Sequence, residues 1–246
     1  MSIHDVQEYV QTPVFHPPFI IEHVLPRGGK LLLYGKAGVM KSWLAQYKGF
    51  CIATGTEWLG LETTQARVLL VNFEISNWSY HHRLCLMANQ FSLEPQVLYE
   101  YSPSILYLDD PSVFRRFKAR VDEVEPEVII LDCMSGCFGG DENNSREMSG
   151  FIGNLEELKG DGRSLVLIHH SNKNILAVDQ MDKARGHSKL VGWVDSILHL
   201  VNQPSGKQLQ FGKTRHAPFQ MHSKNLVFED YVWGIRGQVQ GGTEMG

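Results

Sequence analysis

Short apolar runs alternate along this chain with stretches whose apolar positions recur every three or four residues. The first run, Lys30-Leu-Leu-Leu-Tyr34, ends in a glycine loop and is followed by a helical stretch over about 42–53. A second run, Arg67-Val-Leu-Leu-Val-Asn-Phe73, leads into a helical pattern over 78–90, and Val97 to Tyr101 is a weaker strand. Pro111 suits the first position of a helix, and Val113, Phe114, Phe117, Val121 and Val124 then share one face. The strand Glu127-Val-Ile-Ile-Leu-Asp132 comes next, then a helix with Met148, Phe151, Ile152, Leu155 and Leu158 on its apolar side. Ser164 to His169 is a fifth strand; a short helix after Gly186 precedes Ser196 to Val201. Continuous apolar strands joined by helices bury both faces of a sheet, so the predicted fold class is α/β with a mainly parallel sheet flanked by helices.

The ends of the chain follow other patterns. Residues 1–29 are polar and rich in turn formers, and read as an N-terminal extension that packs on the core or on a neighbouring subunit. Residues 30–237 form the predicted domain. From about Lys207 short strands and turns replace the helical rhythm, which predicts a C-terminal antiparallel extension; residues 238–246 read as a disordered tail. No internal repeat interrupts this order.

Composition narrows the function classes. With 246 residues, 43% hydrophobic and 20% charged, the chain is globular and long enough for one sizeable core. Its net charge of −4 argues against coating nucleic acid through bulk charge. Four cysteines do not make a secreted disulfide scaffold, and neither a signal peptide nor an apolar span of membrane length is visible. A cytoplasmic protein is expected.

The strongest local signal is Gly35-Lys36-Ala37-Gly38-Val39-Met40-Lys41-Ser42, between the first strand and its helix. A phosphate loop asks for Gly, four residues, then Gly-Lys-Ser/Thr; Gly35, Lys41 and Ser42 are in register, and Met40 replaces the second glycine. Consecutive backbone N–H groups there cradle phosphate at the positive end of the next helix. The candidate nucleotide contacts run from Gly35 through Trp43. Lys41 is expected to reach the β- and γ-phosphates of ATP, and the Ser42 hydroxyl to ligate Mg²⁺. Asp132, delivered by an apolar strand, is the second candidate Mg²⁺ ligand. Glu74, at the end of the second strand, is the candidate general base for the attacking water, because ligands of open α/β sheets lie beyond the carboxyl ends of the strands.

Phosphate loop, strand-two glutamate and strand-end aspartate, in that order, resemble the RecA-like P-loop ATPases, and in particular the RepA- and DnaB-type hexameric replicative helicases. Phe138-Gly-Gly-Asp-Glu-Asn143, Val166-Leu-Ile-His-His170, Ala184-Arg-Gly-His-Ser188 with Val194-Asp-Ser-Ile-Leu198, and Lys213-Thr-Arg215 with His216-Ala-Pro218 are similar to segments of that family. The likeness spans about residues 20–235. Met40, His187 and Ala217 depart from it.

The resemblance implies a Mg²⁺-dependent ATP hydrolase forming a homo-oligomeric ring, a hexamer, and acting as a helicase on single-stranded DNA with 5′-to-3′ polarity, with DNA replication or mobile-element proteins as partners. It implies that His169 or His170 senses the γ-phosphate, and that Lys213 and Arg215 project into a neighbouring subunit's site as an arginine finger. The loop from Ser171 to Lys189 carries Lys173, Lys183, Arg185 and Lys189 against Asp179 and Asp182, a locally basic stretch suited to a DNA-facing channel. The alternative is an ATP-dependent switch or assembly protein that hydrolyses slowly and unwinds nothing; Met40 and the acidic net charge favour it.

Other signals are set aside. His81 and Cys85 stand one helical turn apart but lack further ligands for zinc. Cys133 and Cys137 read as inert, and the rings of Trp43, Trp58 and Trp78 as packing groups.

Overall fold

The structure is a computed structural model and describes residues 3, 5–13, 18–103, 105–170 and 185–236. Its elements in chain order are α1 (Val6–Tyr9), β1 (Phe19–Ile21), β2 (Leu25–Pro26), β3 (Lys30–Gly35), α2 (Lys41–Thr54), β4 (Val68–Asn72), α3 (Asn77–Ala88) and β5 (Leu98–Tyr101). They continue with α4 (Pro111–Val124), β6 (Val128–Asp132), α5 (Met134–Cys137), α6 (Ser145–Lys159), β7 (Ser164–His170), α7 (Arg185–Trp193), β8 (Ser196–Gln203), β9 (Gly206–Thr214), β10 (Lys224–Glu229) and β11 (Val232–Ile235).

Among the described residues nine strands form one sheet in the order β11-β10-β9-β8-β3-β7-β6-β4-β5. The six from β8 to β5 are parallel, and β9, β10 and β11 add antiparallel strands at the other edge. The expected α/β class with an antiparallel extension is therefore what the chain adopts. Strand β7 lies between β3 and β6, and the register aligns Gly35 with His170 and Asn72 with Asp132. Four strand ends thus meet at one level, at the carboxyl edge of the sheet.

Alternation along these strands divides the core in two. Leu31, Leu33, Leu70, Ile130 and Ile168 join the buried cluster that α2 covers; Leu32, Val71, Leu131 and Leu167 join the cluster with Phe117 of α4 and Phe151 of α6. Local devices start the helices of the second layer. Asp110 accepts from the N–H groups of Ser112 and Val113 ahead of α4, and Asn144 from those of Arg146 and Glu147 ahead of α6.

The N-terminal stretch packs on the core, and the basic segment departs from its expected form. Ile20, Ile21, Val24 and Leu25 of the N-terminal stretch are fully buried in the α2-side core, and Ile21 bridges to Thr63. The basic loop is expected to run to Lys189, but α7 begins at Arg185, so Arg185 and Lys189 lie on a helix; Lys189 donates to the Ser149 hydroxyl. Lys173 and Lys183 lie outside the described residues, as does the expected tail. Among the described residues no helix is long and apolar enough to cross a membrane.

Candidate active site at the strand ends

The loop from β3 to α2 is shaped by three backbone conformations. Gly35 has φ 158°, and a Cβ there would lie 2.4 Å from the carbonyl oxygen of Leu200 in β8, an approach only glycine permits. Gly38 (φ 75°) and Met40 (φ 72°) are left-handed. Gly38 adopts that backbone freely; for Met40 it costs about 1–2 kcal/mol. Met40 immediately precedes α2, and no side chain caps this 14-residue helix. Its first-turn N–H groups and positive end are left for the loop to present. Lys36, Ala37 and Gly38 are exposed, and Val39 is buried beneath them.

The cost at Met40 is measurable. Met40→Gly removes the left-handed strain but makes the unfolded chain looser, which costs about 0.5–1 kcal/mol. A net gain in stability of about 0.5–1 kcal/mol is expected, seen as a higher denaturant midpoint at unchanged slope. A lower midpoint would mean that the packing of the Met40 side chain on the α2-side core outweighs the strain.

Lys41 is buried, with its ammonium donating to the carbonyls of Gly35 (2.9 Å) and Lys36 (2.8 Å) and to Nδ1 of His170 (3.0 Å). Burial lowers its pKa, against the opposing pull of Asp132 and Glu74. An ammonium only donates, so Nδ1 of His170 accepts and the ring proton resides on Nε2. Nε2 donates it to Oε2 of Glu74 at 2.8 Å. Lysine, histidine and glutamate therefore form one directional hydrogen-bonded chain from the first residue of α2, through the end of β7, to the turn after β4.

Glu74 is positioned by its own strand. The Asn72 side chain is buried, accepts from the N–H groups of Glu74 (3.3 Å) and Ile75 (3.0 Å), and donates to the Ile75 carbonyl (2.7 Å). This turn lifts Glu74 clear of the sheet. Partial burial opposes the charge of Glu74, but the bond from His170, the proximity of Cys133 and Lys41 together hold its carboxyl below the usual carboxylate range.

Asp132 sits lower in the same bowl, 3% exposed. Among the described residues neither of its oxygens has a hydrogen-bond partner, although the Ser42 hydroxyl lies near enough to favour the charged form. Burial nevertheless dominates and pushes its pKa up to about 6. Ser42, half-buried on the first turn of α2, faces it from the phosphate loop.

The two histidines separate. Strand parity sends His170 to the α2 side and His169 to the other face, where it is 2% exposed with Nε2 3.9 Å from a carboxylate oxygen of Glu142. Only His170 joins Lys41 and Glu74. Lys213 and Arg215 lie elsewhere. Pairing of Ile197 with Lys213, and of Leu32 with Ile197, places them toward the amino end of β3, away from the phosphate loop. Lys213 donates to the carbonyls of Val191 (2.7 Å) and Val194 (2.6 Å), and burial pushes its pKa down to about 8. Arg215 donates to Gly192 (2.9 Å) and lies 3.5 Å from Asp195. Both basic groups cap the carboxyl end of α7.

Of the three tryptophans read as packing groups, two pack and one does not. Trp58 is fully buried, and Trp43 packs on Phe228, Tyr231 and Arg83 and not toward the loop. Trp78, expected to pack, is 77% exposed and stacked on His82. Position 78 lies at the start of α3, where no core reaches it. Two site residues have no sequence signal beyond their neighbours. Cys133 follows Asp132 and brings its Sγ 3.5 Å from Oε2 of Glu74. Arg83 of α3, stacked over Trp43, feels the charges of Asp132 and Glu74.

A strand-loop-helix with a buried lysine, two strand-end carboxylates and a histidine between them is a constellation for handling a nucleotide phosphate. Comparison with curated proteins finds no match. The family model for the AAA domain matches residues 6–175, and the chain belongs to that family, as a P-loop nucleotide-hydrolysing ATPase.

Proposed function

We propose that this ATPase is Mg²⁺-dependent and RepA-like, working as a homo-oligomeric ring, a hexamer, that moves on single-stranded DNA in replication or for a mobile element. The observation that carries its chemistry is the Lys41–His170–Glu74 chain beside an unpartnered Asp132. Gly35 to Trp43 receive the phosphates, with the N–H groups of the loop and α2 as donors and the Lys41 ammonium turning from the Gly35 and Lys36 carbonyls to the β- and γ-oxygens. Glu74 then takes the proton of the attacking water, which its charged, hydrogen-bonded state equips it to do.

The residues present suit Mg²⁺. Two buried, unpartnered carboxylate oxygens on Asp132, beside a hydroxyl on Ser42, offer hard oxygen donors to a small cation. When bound there, Mg²⁺ supplies positive charge against the phosphate oxygens. As Lys41 turns toward phosphate it releases Nδ1 of His170, so His170 is the group that registers the occupant of the loop.

For the ring, Arg215 is the better finger: its guanidinium is half-exposed on a hairpin far from its own loop. Lys213, with short bonds to Val191 of α7 and to Val194 just beyond it, serves the fold of its own subunit. Lys173, Lys183, Arg185 and Lys189 are the candidate DNA contacts.

Light scattering with a non-hydrolysable ATP analogue, with and without a single-stranded oligonucleotide, tests this reading alongside ATPase rates. Nucleotide-dependent assembly and faster hydrolysis with the oligonucleotide are expected. Assembly without any stimulation would favour the switch protein, for which the strained Met40 speaks. A monomer indifferent to both ligands would overturn the ring.

A further inference from the structure

We propose that Glu74, Cys133 and His170 form a binding site for a soft divalent cation, Zn²⁺ foremost, whose occupation stops hydrolysis. One donor atom from each side chain lies within 4.8 Å of the other two. Oε2 of Glu74 is 2.8 Å from Nε2 of His170 and 3.5 Å from Sγ of Cys133. Tetrahedral zinc, with bonds of about 2.0–2.3 Å, sets its donors about 3.3–3.7 Å apart. The cluster therefore needs only shifts of a few tenths of an ångström to an ångström.

The donors sit at the ends of β4, β6 and β7, or just beyond them, and backbone hydrogen bonds hold these strands side by side. Cys133 is 1% exposed and forms the floor; Glu74 and His170 open to solvent and leave a way in and a place for a fourth, water ligand. Thiolate, imidazole and carboxylate favour zinc, whereas the all-oxygen pair Ser42 and Asp132 suits magnesium. The two ions therefore have different addresses in one bowl.

Binding has a defined consequence for the hydrogen-bonded chain. The Cys133 thiol gives its proton to solvent. Zinc on Nε2 of His170 obliges the ring proton to move to Nδ1, which can then no longer accept from Lys41. The Lys41–His170 bond breaks, and Glu74 is tied to the metal. The loop keeps its N–H groups, so nucleotide still binds. The effect on hydrolysis rests on Glu74 acting as the base; the binding itself does not.

The test uses the full chain carrying Cys85→Ser, because the exposed Cys85 lies 3.6 Å from His81 and is a competing thiol–imidazole pair. Cobalt(II) alone, as a spectroscopic stand-in, should give a thiolate-to-cobalt charge-transfer band that zinc displaces and that Cys133→Ser abolishes. In excess Mg²⁺, zinc should lower kcat without weakening binding of a fluorescent ATP analogue. Cys133→Ser should require about 100-fold more zinc or beyond, since even outer-shell partners are worth 10–100-fold. Absence of the band, or equal zinc inhibition in Cys133→Ser, overturns the site. A Cys133-dependent band with unaltered hydrolysis upholds the site and overturns Glu74 as the base. Inhibition relieved by more Mg²⁺ and indifferent to Cys133 places zinc at Ser42 and Asp132, and also overturns it.

Discussion

Glu74→Gln is expected to lower kcat for ATP by about 10²–10⁴-fold, the span of a lost general base, with nucleotide affinity near that of the wild type. Glutamine keeps the length of the side chain, and its amide oxygen still accepts from Nε2 of His170. The chain from Lys41 therefore persists, and what disappears is the capacity to take a proton. Steady-state hydrolysis, with binding of a fluorescent ATP analogue as the companion measurement, separates the two. A rate within about threefold of wild type would remove Glu74 from the mechanism. In mild acid any fall in the wild-type rate should come from Asp132 and not from Glu74. The Glu74 carboxyl is held below the ordinary carboxylate range and remains ionised there.

Asp132→Asn should act on turnover and on the fold together. Loss of the charge facing Ser42 should cost about 10²–10³-fold in hydrolysis, as for other preorganised electrostatic groups. The effect on stability follows from the pKa of about 6 against an ordinary 3.8. Below pH 3.8 the group is protonated whether folded or unfolded and contributes nothing. Between 3.8 and about 6 the folded state binds the proton more tightly, so stability falls as pH rises. Above that range a penalty of about 3 kcal/mol remains in metal-free protein. Asparagine carries no charge and removes this slope, while its unpaired amide costs about 1–3 kcal/mol at every pH. Thermal unfolding without metal should show wild type losing stability between about pH 3.8 and 6 relative to Asp132→Asn, and no further loss above that range. Superimposable pH profiles would mean that the carboxylate is not held in the buried, unpartnered state.

Much of this site is legible in the chain because its signals are local. A glycine, a lysine and a serine at fixed offsets, and apolar strands ending in Asp132 or near Glu74, are patterns of a few residues each. The strand order is not so local. That β7 lies between β3 and β6 depends on long-range pairing, and it is this order that puts a histidine between the lysine and the glutamate. His169 and His170 are equivalent in the sequence, since parity has meaning only once α2 is known to cover one face. Lys213 and Arg215 stand out as a basic pair, but the helix they cap comes from a separate segment. Trp78 misleads for a similar reason: its apolarity is local, and the lack of a core to cover it is not. Cys133 reads as inert in the sequence because a buried thiol gains significance only from the side chains that two other strands bring to it.

The contact between Gly35 and the Leu200 carbonyl bears on what a minimal working unit of this protein is. The segment matching the AAA domain ends at residue 175, before β8 begins. Yet β8 flanks β3 along four consecutive residues and supplies the backbone wall against which the phosphate loop turns. A chain cut at the family boundary would leave β3 as a raw edge, open to pairing with other chains, and its loop without a buttress. The antiparallel strands beyond β8 are then a splint for the catalytic loop, and insertions among them should be felt in turnover although they stand apart from the strand-end cluster. The family match and the sheet that buttresses the phosphate loop cover different lengths of chain.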